Sequence, residues 1–271
     1  MMKHKLILAA AAAATLAVPA ALQAHRMWLL PSITVVSGND DWVTFDAAAS
    51  TDVFAADHQP LRFQPSVTMP DGTAGKVENF ATGRYRSTFD VHLTQKGTWL
   101  VEVANGGVMG SYKLGTEEKR LPRGTSVDKY KELIPAEATE VKLTEASNRY
   151  QVFVTSGAPT DAVLKAKGQG LELVPVTHPN DLVAGEPAQF GFTIDGKPAA
   201  GLKVTLVKSG LRYRDDAGEK QLTTDAAGKL TVTWDGPGIY WMNTSSTGKS
   251  TAVPGADKRL MYTTTLEVLP S

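Results

Sequence analysis

The chain contains 271 residues, of which 28 are Lys or Arg and 28 are Asp or Glu, and it has no cysteine. The absence of cysteine excludes disulfides, thiolate zinc sites, iron–sulfur clusters and cysteine nucleophiles. The balanced charge provides no basic field for nucleic acid or for an anionic membrane surface. Any bound metal ion must therefore be held by imidazole, carboxylate, backbone or amine ligands.

The first residues have the pattern of a secretory signal peptide. A short basic segment precedes an apolar run from Leu6 to Val18, and small residues follow it. The run is shorter than the roughly 20 residues that cross a bilayer, so we expect no membrane span in the mature chain. We predict that residues 1–24 are a signal peptide cleaved after Ala24, with a cut after Ala20 as the alternative, and that the protein is periplasmic. Cleavage after Ala24 makes His25 the first residue of the mature chain.

Short runs rich in Val, Thr and aromatic residues, separated by Gly, Pro, Asn and Asp turns, indicate a mostly β protein. We predict two antiparallel β-sandwich domains, at residues 25–165 and 170–271. A charged stretch at about 115–141 is interpreted as an excursion from the first domain, with a short helix around 126–133. The strands predicted in the first domain are Ile33–Val36, Trp42–Phe45, Arg86–Leu93, Thr98–Val103 and Asn148–Thr155.

The second domain is predicted to be immunoglobulin-like. Seven short antiparallel strands in about 100 residues are typical of that architecture, although the Cys–Trp–Cys signature of antibody domains is missing. The predicted strands are Leu171–Val174, Ala188–Ile194, Leu202–Val207, Gln221–Thr224, Lys229–Trp234, Ile239–Met242 and Thr263–Leu269.

Several catalytic motifs are absent from the sequence. It contains no Gly-rich phosphate-binding loop, no serine nucleophile elbow and no His-Glu-x-x-His pair. Nothing therefore supports an ordinary hydrolase or a nucleotide-dependent enzyme, and a non-enzymatic role is favoured.

A histidine at the start of a mature chain has special chemistry. The free α-amine and the ring Nδ1 of His25 can chelate one metal ion, and a second imidazole then completes a three-nitrogen site. An α-amine has an ordinary pKa of about 8, so a metal ion displaces its proton readily near neutrality. All-nitrogen sites favour Cu²⁺ and Ni²⁺ in the Irving–Williams order. The alternative is that His25 merely follows the signal peptide.

The other histidines of the mature chain differ in context. His58 lies in a loop between two predicted strands, where Asp57 can orient its ring, although a stray loop histidine is the alternative. His92 faces away from the apolar positions of its strand and is expected to be exposed. His178 lies near the domain junction, where a structural role is favoured. The predicted metal ligands are His25 and His58, with His92 as a further candidate.

Two Arg/Tyr clusters are candidate anion-binding sites. They contain Arg84 and Arg86 around Tyr85, and Arg212 and Arg214 around Tyr213. A planar guanidinium beside an aromatic ring can recognise carboxylates, for example on a metal chelator. Solvated strand faces or ion pairs between domains are the alternative interpretation.

Taken together, several segments resemble one family along almost the whole mature length, the bacterial periplasmic family of unknown function described as nickel-uptake substrate-specific-region proteins. The segments that carry the resemblance are Ala24-His25-Arg26-Met27-Trp28-Leu29-Leu30-Pro31, Phe45-Asp46-Ala47-Ala48, Asp57-His58-Gln59-Pro60-Leu61, Gly170-Leu171-Glu172-Leu173-Val174-Pro175, Asn180-Asp181-Leu182-Val183-Ala184-Gly185, Asp195-Gly196-Lys197-Pro198, Thr224-Asp225-Ala226-Ala227-Gly228 and Gly238-Ile239-Tyr240-Trp241.

The resemblance implies a periplasmic accessory or substrate-binding role in the uptake of nickel or cobalt. The ligand would be a metal ion or a metal chelate, and the partner would be a membrane metal-uptake transporter. Iron-chelate uptake fits the same role. Members often begin the mature chain with a histidine followed by an aromatic-Leu-x-Pro run, which supports His25 as a ligand. Two alternatives stay open, namely a histidine-brace copper redox enzyme and a plain binding β-sandwich without metal.

Overall fold

The computed structural model describes residues 25–38 and 40–271, so the predicted signal peptide lies outside the described residues. This part of the chain is mostly β, as predicted. No helix within it is long and apolar enough to cross a membrane. The strands are β1 (Arg26–Pro31), β2 (Val35–Val36), β3 (Asp41–Ser50), β4 (Gln59–Pro60), β5 (Ser66–Thr68), β6 (Glu78–Thr82), β7 (Ser87–Leu93), β8 (Gly97–Leu114), β9 (Glu117–Arg120), β10 (Thr139–Ser156), β11 (Leu171–Pro175), β12 (Ala188–Ile194), β13 (Lys197–Pro198), β14 (Lys203–Lys208), β15 (Lys220–Thr223), β16 (Lys229–Val232), β17 (Gly238–Lys249) and β18 (Asp257–Val268).

The strands form three sheets. The N-terminal sheet has the order β1-β3-β7-β6, with β4 also paired to β3. The central sheet has the order β15-β14-β17-β18-β10-β8-β5, with β2 beside β10 and β9 beside β8. The C-terminal sheet joins β11, β12 and β13, with β16 on β12. The central sheet therefore contains strands from both predicted domains.

Alternating side chains give the central sheet a hydrophobic core on each face. Val101 of β8 and Val152 of β10 pack into the core shared with the N-terminal sheet. Their neighbours Leu100 and Phe153 pack into the core shared with the C-terminal sheet. Successive side chains of a strand point to opposite faces, so β8 and β10 contribute to both cores. The two sandwiches are joined by this shared sheet, through the parallel pair β10–β18.

The C-terminal half has the strand arrangement of an immunoglobulin-like domain, as predicted. The strands β11, β12 and β16 face β15, β14, β17 and β18 across one core. Tyr240, near the start of β17, is buried and donates its hydroxyl hydrogen bond to the Gly236 carbonyl at 2.7 Å. That contact is the tyrosine corner of immunoglobulin-like folds, and it fixes the turn before β17.

The strands β8 and β10 are much longer than predicted, with 18 residues each. Their outer halves pair beyond the sandwich and carry the excursion, which contains β9 and a 3-10 helix at Tyr130–Leu133. Tyr130 packs with Val253 in a small separate core. The helix predicted around 126–133 is therefore reduced to this single 3-10 turn and the hydrogen-bonded turns before it. Further short 3-10 helices lie at Ala162–Leu164 and Leu211–Tyr213.

Candidate metal centre

The rings of His25 and His58 are stacked against each other at the end of strand β3. Arg26 pairs with Ser50 on one side of β3, and Gln59 pairs with Ala49 on the other. Each histidine is the residue just before its pairing neighbour, so the two flank the end of β3. Their ring centroids lie 3.5 Å apart with an interplanar angle of 22°, and both residues are exposed.

Strand β1 holds the backbone next to His25 in place. The Trp28 side chain is fully buried, and its indole N–H donates a hydrogen bond to the Ser50 hydroxyl at 2.7 Å. The indole N–H of Trp241, from β17, donates to the Met27 carbonyl at 3.0 Å. The N-terminal strand is therefore attached both to β3 and to the immunoglobulin-like half of the chain.

The loop that carries His58 is folded against the same core. Val53 is buried, and the Phe54 ring packs edge-on against Trp28 at 5.6 Å. The Asp57 carboxylate accepts a hydrogen bond from the Thr51 backbone N–H at 3.2 Å. The sequence predicts Asp57 as a group that can orient the His58 ring. Its hydrogen bond in the structure instead goes to the backbone, so Asp57 shapes the loop.

A segment from the second half of the chain also reaches the N-terminus, and sequence reasoning missed this contact. Leu211 belongs to the buried cluster that contains Trp28 and Trp241. Arg26 forms an ion pair with Glu219, and its guanidinium lies 5.5 Å from the Trp241 ring centroid. The available signal was the aromatic and basic character of Arg26-Met27-Trp28, which does not identify its distant partners.

The His25/His58 pair supplies two imidazoles. Within the described residues, no group of three or more His, Cys, Asp or Glu side chains is placed to hold a metal ion. A third nitrogen at this centre would be the α-amine of His25, which is free only after cleavage. The lone pairs of an imidazole lie in its ring plane. Because the stacked planes are nearly parallel, both rings face one ion only after one ring rotates, which their exposure allows.

His92 lies at the opposite end of the N-terminal sheet. It pairs with Trp42 across β3 and β7, whereas Arg26 pairs with Ser50. The eight residue steps from Trp42 to Ser50 span about 25 Å of strand. The His92 ring stacks on Trp42 with centroids 4.3 Å apart and hydrogen-bonds to Asp40. The structure therefore does not bring His92 together with His25 and His58.

His178 has a structural environment at the junction between the two halves. Its Nδ1 accepts a hydrogen bond from the Asn180 backbone N–H at 3.0 Å, so the neutral ring carries its proton on Nε2. That nitrogen lies 3.0 Å from the Thr98 hydroxyl. Burial lowers the pKa of His178 from its ordinary value of 6.5, more strongly than the nearby Thr160 carbonyl raises it.

The lowered pKa of His178 predicts an acid-sensitive junction. Below about pH 6.5 the unfolded chain binds a proton at this position more readily than the folded chain does. The free energy of unfolding therefore decreases as the pH is lowered. We expect His178→Asn, whose side-chain oxygen can replace the Nδ1 acceptor, to lose less stability between pH 7 and pH 5 in urea titrations. This interval lies above the range in which the carboxylates with lowered pKa values, such as Asp195, titrate. Parallel stability curves for the two proteins would contradict this role.

The two Arg/Tyr clusters occupy exposed turns. Arg84 lies over the Tyr85 ring at 5.5 Å, and the Arg86 Nε lies 3.3 Å from the Asp46 carboxylate. Arg214 donates a hydrogen bond to the Lys208 carbonyl at 2.6 Å. Arg212 is exposed in the middle of the 3-10 helix at Leu211–Tyr213. The guanidiniums of Arg86 and Arg214 thus already contact the protein, and anion binding by these clusters stays a prediction.

Comparisons with known proteins identify a family without a known function. The family model described as "Domain of unknown function (DUF4198)" matches residues 22–248. Among curated proteins, none matches the chain. Similar solved structures include the D0–D1 domain of intimin, at 11% identity and a TM-score of 0.22, covering 88% of this chain and 97% of that one. The human OSCAR ligand-binding domain is 14% identical with a TM-score of 0.21, covering 90% and 99%.

Proposed function

We propose that this chain, which belongs to the family described as Domain of unknown function (DUF4198), is a periplasmic protein that binds a transition-metal ion for uptake or delivery. The observation that carries the proposal is the contact between the His25 and His58 rings, 3.5 Å apart between centroids. Two of the four histidines beyond the predicted signal peptide meet at the predicted new N-terminus, although strands β1, β2 and β3 separate them in sequence.

The donor set suits a late first-row metal ion. His25 would supply its α-amine and one ring nitrogen after cleavage, and His58 would supply another ring nitrogen. Imidazole and amine nitrogens are borderline ligands, for which Cu²⁺ and Ni²⁺ rank above Co²⁺ and Fe²⁺. The resemblance to nickel-uptake proteins favours nickel or cobalt as the cargo, whereas intrinsic affinity favours copper. Both ions therefore belong in the test.

The surroundings of the pair favour a binding site over an accidental contact. The backbones on both sides are fixed by pairing with β3, and the buried Trp28 lies in the core below. The two imidazole rings themselves are exposed to solvent and are not packed into the core. A rigid backbone with free rings lowers the ordering cost of binding while it keeps the site open to an incoming ion.

Trp42, the exposed tryptophan among the described residues, is not placed as a substrate platform for a copper redox enzyme at this centre. An oxygenase of the histidine-brace type needs a platform that holds its substrate over the metal. Trp42 is 47% exposed, but it lies at the far end of β3, about 25 Å from the end that the two histidines flank. It is therefore not placed to present a substrate to this centre.

Metal titration of the protein that begins at His25 tests the proposal. We expect His58→Ala to weaken Cu²⁺ and Ni²⁺ binding at least tenfold, about 1.4 kcal/mol, because it removes one of three nitrogen ligands. His92→Ala is the matched control, since it removes a partly exposed histidine of the same sheet, and its affinity should stay within about twofold of wild type. Equal affinity in all three proteins, measured by competition with a chelator, would overturn the proposal.

A further inference from the structure

A second candidate site lies on the outer part of β8, away from the histidine pair. It is an open pocket of about 260 Å³, here called the Phe63 pocket, bordered by Phe63, Met109 and Arg123. Phe63 is 53% exposed and Met109 is 51% exposed. Large apolar side chains left in solvent beside a concave surface are a common sign of ligand binding.

Strand register explains why these residues meet. β5 pairs with β8 in an antiparallel register that places Ser66 opposite Glu102. The pairing begins at Ser66, and Phe63 lies in the bend that precedes it. Asn105, beyond Glu102 on β8, pairs with Asn148 on β10. Phe63 and the two asparagines therefore lie on three neighbouring chain segments that line the pocket.

Glycines let the excursion approach β8 and close the pocket. A Cβ atom on Gly107 would lie 2.3 Å from the Thr125 carbonyl oxygen, and φ at Gly107 is 147°. The Val108 N–H donates a hydrogen bond to that same carbonyl at 2.8 Å. With no side chain at Gly107, the segment that carries Arg123 lies directly against the strand. The backbone of Gly106, Gly107 and Gly124, here called the glycine floor, lines part of the pocket, and a flat group can lie against it.

The polar groups of the pocket have unused hydrogen-bonding capacity. Asn148 Nδ2 donates to Asn105 Oδ1 at 3.0 Å. Within the part of the chain that the structure describes, this bond leaves the Asn105 amide NH₂ and the Asn148 amide oxygen without protein partners. Among the same residues, the exposed guanidinium of Arg123 forms no ion pair, and it is the charged group of the pocket.

From this arrangement we propose that the Phe63 pocket binds a small organic carboxylate with a flat apolar body. The apolar part lies between Phe63 and Met109 on the glycine floor, and the carboxylate is held by Arg123, whose planar guanidinium matches it with two parallel N–H donors. A volume of about 260 Å³ is just below the usual range of roughly 300–1,000 Å³, so the ligand is smaller than a typical drug molecule.

The test compares two probes of the same shape, 3-phenylpropionate and its neutral amide, titrated into metal-free protein and followed by two-dimensional ¹H–¹⁵N NMR. We expect the carboxylate to bind at least tenfold more tightly and to shift the amide signals of Gly106, Gly107 and the Asn105 side chain. Arg123→Gln should remove the preference for the carboxylate, and Phe63→Ala should weaken both probes. Both substituted residues are exposed, so the fold should tolerate the changes.

The control for charge is Lys229→Gln, which removes an exposed positive charge on the C-terminal sheet and should leave both affinities unchanged. Equal binding of the two probes, or an unchanged preference in Arg123→Gln, would overturn the proposal. Absence of saturable binding by either probe would also overturn it. The metal proposal is independent of these outcomes, because the experiment contains no metal and both substitutions lie outside the histidine pair.

Discussion

Placing four glycines ahead of His25 is expected to weaken Cu²⁺ and Ni²⁺ binding by at least about 100-fold, which corresponds to about 2.8 kcal/mol. The added residues convert the α-amine of His25 into a peptide amide, and they place the histidine too far from the new terminal amine for a Gly-His type of chelate. The six-membered amine–imidazole chelate ring is then lost, while both imidazoles remain. The extension is the largest change in donor chemistry that leaves every side chain intact.

The measurement is a competition titration of the extended and unextended proteins against a chelator of known affinity. Four glycines added after Ser271 are the matched control, because they change the length equally and leave the N-terminus free. N-terminal sequencing of the exported protein completes the experiment by locating the cut. If the N-terminally extended protein binds as tightly as the unextended one, the amine is not a ligand and the chelate hypothesis is wrong.

The largest expected loss of stability comes from Arg149→Met, at about 3–5 kcal/mol. Arg149 lies between two carboxylates, with its Nη1 2.7 Å from Glu172 and its Nε 3.3 Å from Glu102. All three side chains are mostly buried. Removing the guanidinium leaves Glu172 without a cation and leaves Glu102 with only the exposed Lys167 Nζ at 4.0 Å. The cost of an unpaired buried charge greatly exceeds that of a surface pair.

The charged form of Glu172 depends on the hydrogen bonds and on the guanidinium that surround its carboxylate. Burial pushes its pKa up, but the Lys167 backbone N–H and the Arg149 guanidinium outweigh that effect and leave the pKa below its ordinary value of 4.5. The carboxylate also accepts backbone hydrogen bonds from Gly168 and Gln169. Its contribution to stability is therefore present above about pH 4.5 and is lost as the pH falls through the lowered value.

Urea unfolding at pH 7 measures the effect of Arg149→Met. The matched control is Lys113→Met, which breaks the exposed Lys113–Glu140 ion pair on the same two strands, at 2.6 Å. Exposed pairs contribute at most about 1 kcal/mol, so the control should lose no more than that. Similar losses in the two variants would mean that burial does not set the value of the Arg149 network.

Much of the fold could be predicted from local pattern. Each of the seven strands predicted after residue 170 is present, because alternation of apolar side chains and Gly- or Asp-containing turns marks short antiparallel strands directly. The outer halves of β8 and β10 were not predicted. Gly106, Gly107 and Gly110 interrupt the apolar pattern of β8 there, and only pairing with β10 makes that segment a strand.

The candidate centre was predicted in part. The N-terminal position of His25 and the loop position of His58 could be inferred locally, and the structure places their rings in contact. The sequence near His92 could not show whether this residue belongs to the metal site with His25. The distance between the two residues depends on the register of β3 against both β1 and β7. The orientation of the Asp57 carboxylate depends on which backbone N–H group of its loop lies within hydrogen-bond distance. The composition of the loop does not specify that group.

The sequence by itself determined the available chemistry of this protein: a thiol-free set of donors, a nearly neutral charge, a mostly β fold and a histidine where a signal peptide is expected to end. These properties reside in residue identity and in the short-range alternation of side chains. The tertiary structure decided which donors meet, how the two sandwiches share one sheet, and that the loop before β15 packs under the N-terminus. Those outcomes depend on strand register and on the packing of residues distant in the chain, such as Trp28 with Trp241. No local pattern specifies such contacts, because they are set by the combined burial of both halves.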